Sequence, residues 1–187
     1  MTKTELYDAL DYVNSSRQKR MEMANLVRNE PKLLLPLIEI VMEADNPLSV
    51  KAAWVMEFTV KQDLSLIFPL LDKFTAGIGS LHLDSAVRPM AKICECLILA
   101  YFSKKPNEVR KVLEEHHLEA ISTACFDWLI GDYKVAAKAY SMTSLYLLGK
   151  KFKWIHPELR LVLERHYATS SAAYKARARH TLAKLNN

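Results

Sequence analysis

The stretch LLLPLIEIVMEADNPLSVKAAWVMEF, Leu33 to Phe58, decides how this chain folds. It reads as an apolar helix carrying Pro36, a turn containing Asp45, a valine followed by a basic residue (Val50–Lys51), and a second apolar helix. The same order follows at once. LIFPLLDKF, Leu66 to Phe74, carries Pro69. LDSAVRPMAKICECL, Leu83 to Leu97, supplies Asp84, the pair Val87–Arg88 and another apolar helix. One helix pair cannot bury its apolar face alone, whereas stacked pairs can, so a recurring pair predicts a helical array that works as a binding surface.

Helical periodicity extends outward from this stretch over almost the whole chain. Helices are predicted over Thr4–Val13, Ser16–Asn29, Pro31–Ala44, Leu48–Lys61, Leu64–Ala76, Ser85–Ser103, Glu108–Ile130, Lys134–Lys150, Pro157–Ala168 and Ala172–Leu185. The polar run Glu114 to His117 can divide the seventh of these in two. Pro31 and Pro157 stand where a first-turn proline forfeits no hydrogen bond. Asp84 and Asp132 are placed to cap the helices after them. Only four glycines occur, all near expected helix ends or turns, which excludes a turn-rich β fold. The reading is all-α, a single domain over residues 1–187, built from five hairpins of roughly 30 to 45 residues.

Half the residues are hydrophobic and a quarter charged, an ordinary balance for a soluble globular protein. The opening MTKTELYDAL lacks a basic-then-apolar signal segment. No apolar run reaches the length of a membrane span. Cys94, Cys96 and Cys125 are an odd set without framework spacing, so they are expected to be reduced core thiols in a cytoplasmic protein.

The repeated motifs resemble the HEAT-repeat family. First helices carry LLLPLI (Leu33–Ile38), LIFPLL (Leu66–Leu71) and WIHPEL (Trp154–Leu159). Second helices carry SVKAAWV (Ser49–Val55), SAVRPMA (Ser85–Ala91), YKVAAKAY (Tyr133–Tyr140) and YKARARH (Tyr174–His180). The resemblance covers Pro31 to Leu185. Ala136 departs from it, standing where the family has a basic residue after Val135. The first hairpin, Thr4–Asn29, fits poorly, as a terminal cap should. The resemblance implies a right-handed α-α superhelix, a HEAT-like solenoid. Ala52, Ala53, Ala91, Ala136, Ala137, Ala139, Ala176 and Ala178 are then expected to let neighbouring repeats approach closely.

The net charge of +5 hides a partition. The second helices, taken as residues 16–29, 49–62, 85–103, 133–151 and 171–187, hold sixteen of the 26 Lys and Arg. Their only acids are Glu22, Glu57 and Glu95. In the HEAT resemblance these helices line the concave side, which implies a basic groove. Arg88 and Lys92, Lys134 and Lys138, and Lys175 and Arg179 are i, i+4 pairs, each on one side of its helix. The candidate binding set is therefore Arg88, Lys92, Lys134, Lys138, Lys175, Arg177 and Arg179. A groove of one sign concentrates a ligand of the other. A protein with an acidic segment is the expected partner, and nucleic-acid phosphate is the alternative. The competing structural reading has Lys51, Arg88 and Arg177 paired with acids of neighbouring repeats.

Catalytic readings are poorer. TSSAAYKARARH, Thr169 to His180, resembles the Ser-Ser-Ala-Met-Pro-Tyr-Lys-Arg-Asn-Pro loop of adenylosuccinate lyases, a name also carried by short bacterial proteins that the whole chain resembles. Ser170, Ser171, Ala172, Tyr174 and Lys175 match if one residue is deleted. That resemblance implies a serine base. The Met-Pro and Asn-Pro steps are missing, however, and a serine-capped helix explains the segment as well. The basic groove also resembles that of HEAT-like alkylpurine DNA glycosylases, with Trp54, Trp128, Tyr140, Tyr146 and Asp127 as candidate aromatics and carboxylate. No position-by-position match supports it. His116 and His117 are adjacent, so a helix turns them about 100° apart and away from a shared metal. AGIGS, Ala76 to Ser80, has no strand before it and reads as a turn. The expectation is a non-enzymatic scaffold with no catalytic residue, metal, cofactor or membrane segment.

Overall fold

The computed structural model describes residues Met1 to Asn186, and among these it is all-α, with eleven α-helices and no strand. The helices are α1 (Lys3–Asp11), α2 (Arg17–Asn29), α3 (Leu34–Val41), α4 (Pro47–Gln62), α5 (Leu71–Gly77), α6 (Asp84–Tyr101), α7 (Val109–Val112), α8 (Glu115–Ile130), α9 (Val135–Leu148), α10 (Ile155–Tyr167) and α11 (Ala172–Leu185). The chain divides into two compact units, Met1 to Ile93 and Cys94 onward, with the boundary inside α6.

Side chains set several of the helix starts. Thr2 and Glu5 form a reciprocal capping box on α1, Ser16 accepts from the Lys19 N–H, and Asn46 accepts from the Leu48 N–H ahead of α4. Glu114 and His117 make a second capping box, so the polar interruption does divide the predicted Glu108–Ile130 helix into α7 and α8. Asp132 does not cap α9. The N-cap position falls on Lys134, with no side-chain hydrogen bond.

The prolines are seated differently from the sequence expectation. Pro31–Leu33 is a 3-10 turn leading into α3, and Pro36 is the third residue of that helix. Leu64–Leu70 is a 3-10 helix that contains Pro69, and α5 begins only afterwards. A proline offers no N–H to a longer α-helix, so each apolar segment is built as a tight turn joined to a short α-helix. Pro89 is the exception, lying inside α6. Its missing N–H would orphan the carbonyl of Ser85, four residues earlier. The Trp54 indole N–H donates to that carbonyl at 3.1 Å. Trp54→Phe is expected to lower unfolding stability in urea by about 1 kcal/mol. The cost should shrink in a Pro89→Ala background, where the helix supplies its own donor. An equal cost in both backgrounds would dissociate Trp54 from the proline.

In the first unit α4 is central and packs against α1, α2 and α3. Ala52, Ala53, Val55, Met56 and Val60 are fully buried there. In the second unit α9 is central, against α8, α10 and α11, and buries Ala137, Met142, Leu145 and Leu148. Each helix carries small residues on its packed side. Ala91 and Ala178 are also buried, whereas Ala136 and Ala139 are half-buried and Ala176 is exposed. Apolar helical spacing predicts Leu33, Ile38, Val55, Ile67, Leu71, Ile93, Leu97, Phe126 and Leu145 for the core, and all of these but one are buried. Phe126 is not, being half-exposed and stacked on Trp154. Among the described residues no helix is long and apolar enough to cross a membrane.

Candidate functional site

The expected basic residues of the first unit are tied into the fold. The Arg88 Nη2 donates to Glu57 Oε2 at 2.5 Å, and Glu57 is 3 % exposed. Lys61 stands 3.6 Å from the other oxygen of that carboxylate. Lys51 lies 3.0 Å from Asp11 Oδ1 and donates to the Asp11 carbonyl as well. Both Lys51 and Arg88 are thus in structural ion pairs. Their partners are not the turn aspartates that the repeat pattern suggested, since Asp45 faces His82. Lys92 is half-buried one turn beyond Arg88 on α6.

The second unit is where positive charge gathers. After Asp132 the chain has eleven Lys and Arg and only two acids, Glu158 and Glu164, both on α10. Neither α9 nor α11 holds a carboxylate, and the two helices pack against each other. Lys134 is exposed at the start of α9. Lys138 is half-buried, with Nζ 6.0 Å from the centre of the Tyr174 ring. Tyr174 is 3 % exposed, burial pushes its pKa up, and its hydroxyl has no hydrogen-bond partner among the described residues. Lys175 and Arg177 are half-buried, while Arg179 is exposed and donates from Nε to the Tyr167 hydroxyl at 3.3 Å.

Helix geometry divides the α11 cations. Tyr174, Ala178 and Thr181 form its buried stripe. At about 100° per residue, Lys175 and Arg179 fall on one flank of that stripe, with Arg177 and Lys184 on the other. Arg177 therefore lies on the flank of α11 opposite Lys175 and Arg179. Lys184 lies 5.4 Å from the centre of the Tyr146 ring, and Lys150 lies at the same 5.4 Å. His156 stacks on Tyr146 and bonds through Nε2 to its carbonyl oxygen at 2.8 Å. A carbonyl only accepts, so Nε2 carries the proton.

Sequence reasoning missed Trp154, which is 54 % exposed and stacked on Phe126 with centroids 5.7 Å apart. The available signal was GKKFKW, Gly149 to Trp154, where three lysines surround two aromatic residues.

Three of the catalytic candidates, Ser171, Trp54 and Trp128, are engaged in the fold. Ser171 caps α11, accepting from the Tyr174 N–H at 3.3 Å. Trp128 is 1 % exposed, and the Trp54 N–H is spent on Ser85. Burial pushes the Cys125 thiol up to about 12 and raises the Cys94 thiol too, which removes the thiolate a nucleophile needs. His116 and His117 do not diverge as expected. Their ring centroids are 3.9 Å apart, and His117 Nδ1 accepts from the Glu114 N–H at 3.0 Å. No known protein family, curated protein or solved structure matches the chain.

Proposed function

We propose that this protein is a non-enzymatic, HEAT-type helical scaffold that holds an acidic segment of a partner protein against α9 and α11. The observation that carries the reading is the charge of this helix pair. Lys138 and Arg179 lie against tyrosines, with no carboxylate on either helix to neutralise them. A cation over a ring keeps its full charge, and a surface of one sign draws a partner of the other. In a solenoid arrangement these helices would line the inner face. Free thiols fit a cytoplasmic setting.

The test is binding of a glutamate-rich peptide at low salt, followed by calorimetry. Lys138→Glu with Arg179→Glu is expected to weaken it at least about tenfold, since like charges replace attraction, with helicity by circular dichroism unchanged. Unchanged affinity in that variant would defeat the reading. So would turnover of adenylosuccinate or alkylated DNA that Ser171→Ala or Asp127→Asn abolishes.

A further inference from the structure

We propose that the connection between α9 and α10, centred on Lys150, Lys153 and Trp154, is a binding site for single-stranded nucleic acid. This goes beyond the acidic-partner reading and uses different residues.

Three observations converge there. First, the indole of Trp154 is backed by Phe126 at an interplanar angle of 24°, yet the residue is 54 % exposed. Phe126 covers one side of the indole, and the exposed remainder is what a planar ligand group can meet. Second, the lysines around it differ in what they meet. Lys151 is paired with Glu115 at 2.7 Å. Lys150 and Lys153 are exposed and have no carboxylate partner among the described residues. Among the described residues Lys153 donates only to the Lys150 carbonyl, at 3.2 Å, which folds its side chain back over the segment that carries Lys150. Third, Lys184 reaches the same neighbourhood from α11, beside the Tyr146 ring that Lys150 also approaches. Between Asp132 and Glu158 the sequence has no acid at all.

The indole decides the class of ligand. An acidic peptide would use the lysines and leave the indole idle. A duplex hides its base faces in its own stack. A single strand has both an unpaired base for the open face of Trp154 and phosphates for Lys150, Lys153 and Lys184, which is the general arrangement of aromatic platforms beside basic tracks. An anionic membrane would also attract lysines. It favours an apolar helix face that projects into lipid, whereas this indole is laid flat against Phe126.

The experiment titrates the full chain with an oligothymidylate of about a dozen nucleotides, within the range of single-strand site sizes, while following tryptophan emission. Quenching is expected at low salt, and Trp154→Ala should abolish it, because Trp128 is buried and Trp54 is half-buried. Trp154→Ala should also weaken binding about tenfold, with Trp154→Phe retaining most of the affinity. Lys150→Ala with Lys153→Ala should lower the salt slope by about 1.4, since each lost phosphate contact removes about 0.7 for a single strand. Lys138→Glu with Arg179→Glu should leave this quenching intact, which separates it from the acidic-partner reading. The proposal is overturned if no quenching occurs at low salt, or if duplex DNA of equal length binds as tightly. It is also overturned if phosphatidylserine vesicles shift Trp154 emission and the oligonucleotide does not.

Discussion

Arg88→Met is expected to destabilise the first unit by about 3 kcal/mol, the largest effect of any single change among the basic residues. Glu57 is buried on α4, and its carboxylate is met by Arg88 at 2.5 Å and by Lys61 at 3.6 Å. Removing the guanidinium leaves a buried negative charge with one weaker partner, a cost of about 3–5 kcal/mol in comparable cases. The lower end applies because Lys61 remains and is partly exposed, where solvent screens it. Urea unfolding measures the loss. The decisive companion is Arg88→Met with Glu57→Met, which removes both charges and should recover most of the stability. If Arg88→Met alone is neutral, the ion pair is not structural, and Arg88 rejoins the candidate partner-binding set. The same variant separates folding from recognition. Binding to α9 and α11 should survive it, because neither residue belongs to that unit.

The helices were readable because their causes are local. Apolar spacing marks what each helix buries, whereas the caps at Thr2, Asn46 and Glu114 were not picked out and Asp132, expected as a cap, is not one. The proline segments were harder. LIFPLL has a helical pattern, yet the pattern does not tell a 3-10 turn from an α-helix, and Pro69 removes the donor that would favour the longer form. Phe126 lay on an apolar register and was expected in the core. It is covered instead by Trp154, a residue 28 positions later whose ring no periodicity places there. Arg88 shows the same limit. Its charge was plain, but its partner Glu57 is 31 residues away on another helix. Trp154 itself was visible as the end of a lysine-aromatic run. Its exposure depends on packing in the second unit, and that information lies outside the run.

Gly149→Ala is expected to cost about 2 kcal/mol, although the backbone there favours the substitution. Gly149 has φ −62°, an ordinary right-handed conformation, so an alanine meets no strain. By helix propensity and unfolded-state entropy the change should even stabilise, by about 0.4–1 kcal/mol. Packing opposes this. An added Cβ would overlap Cδ2 and Nε2 of His156 and stand 2.8 Å from its Cγ. The imidazole cannot swing aside freely, because it is stacked on Tyr146 and donates to the Tyr146 carbonyl at 2.8 Å. Overpacking costs about 1–3 kcal/mol, and the broken hydrogen bond adds about 1. The sum outweighs the propensity gain. Thermal or urea unfolding of Gly149→Ala reads the balance, and Gly149→Ala with His156→Ala should recover part of it by opening room for the methyl group. A more stable single variant would mean that His156 does not hold this position. The consequence reaches the proposed nucleic-acid site, because His156 fixes the Tyr146 ring beside which Lys150 and Lys184 lie. Gly149→Ala should therefore weaken oligothymidylate binding at temperatures where the protein is still folded, while leaving the stacking quench of Trp154 in place.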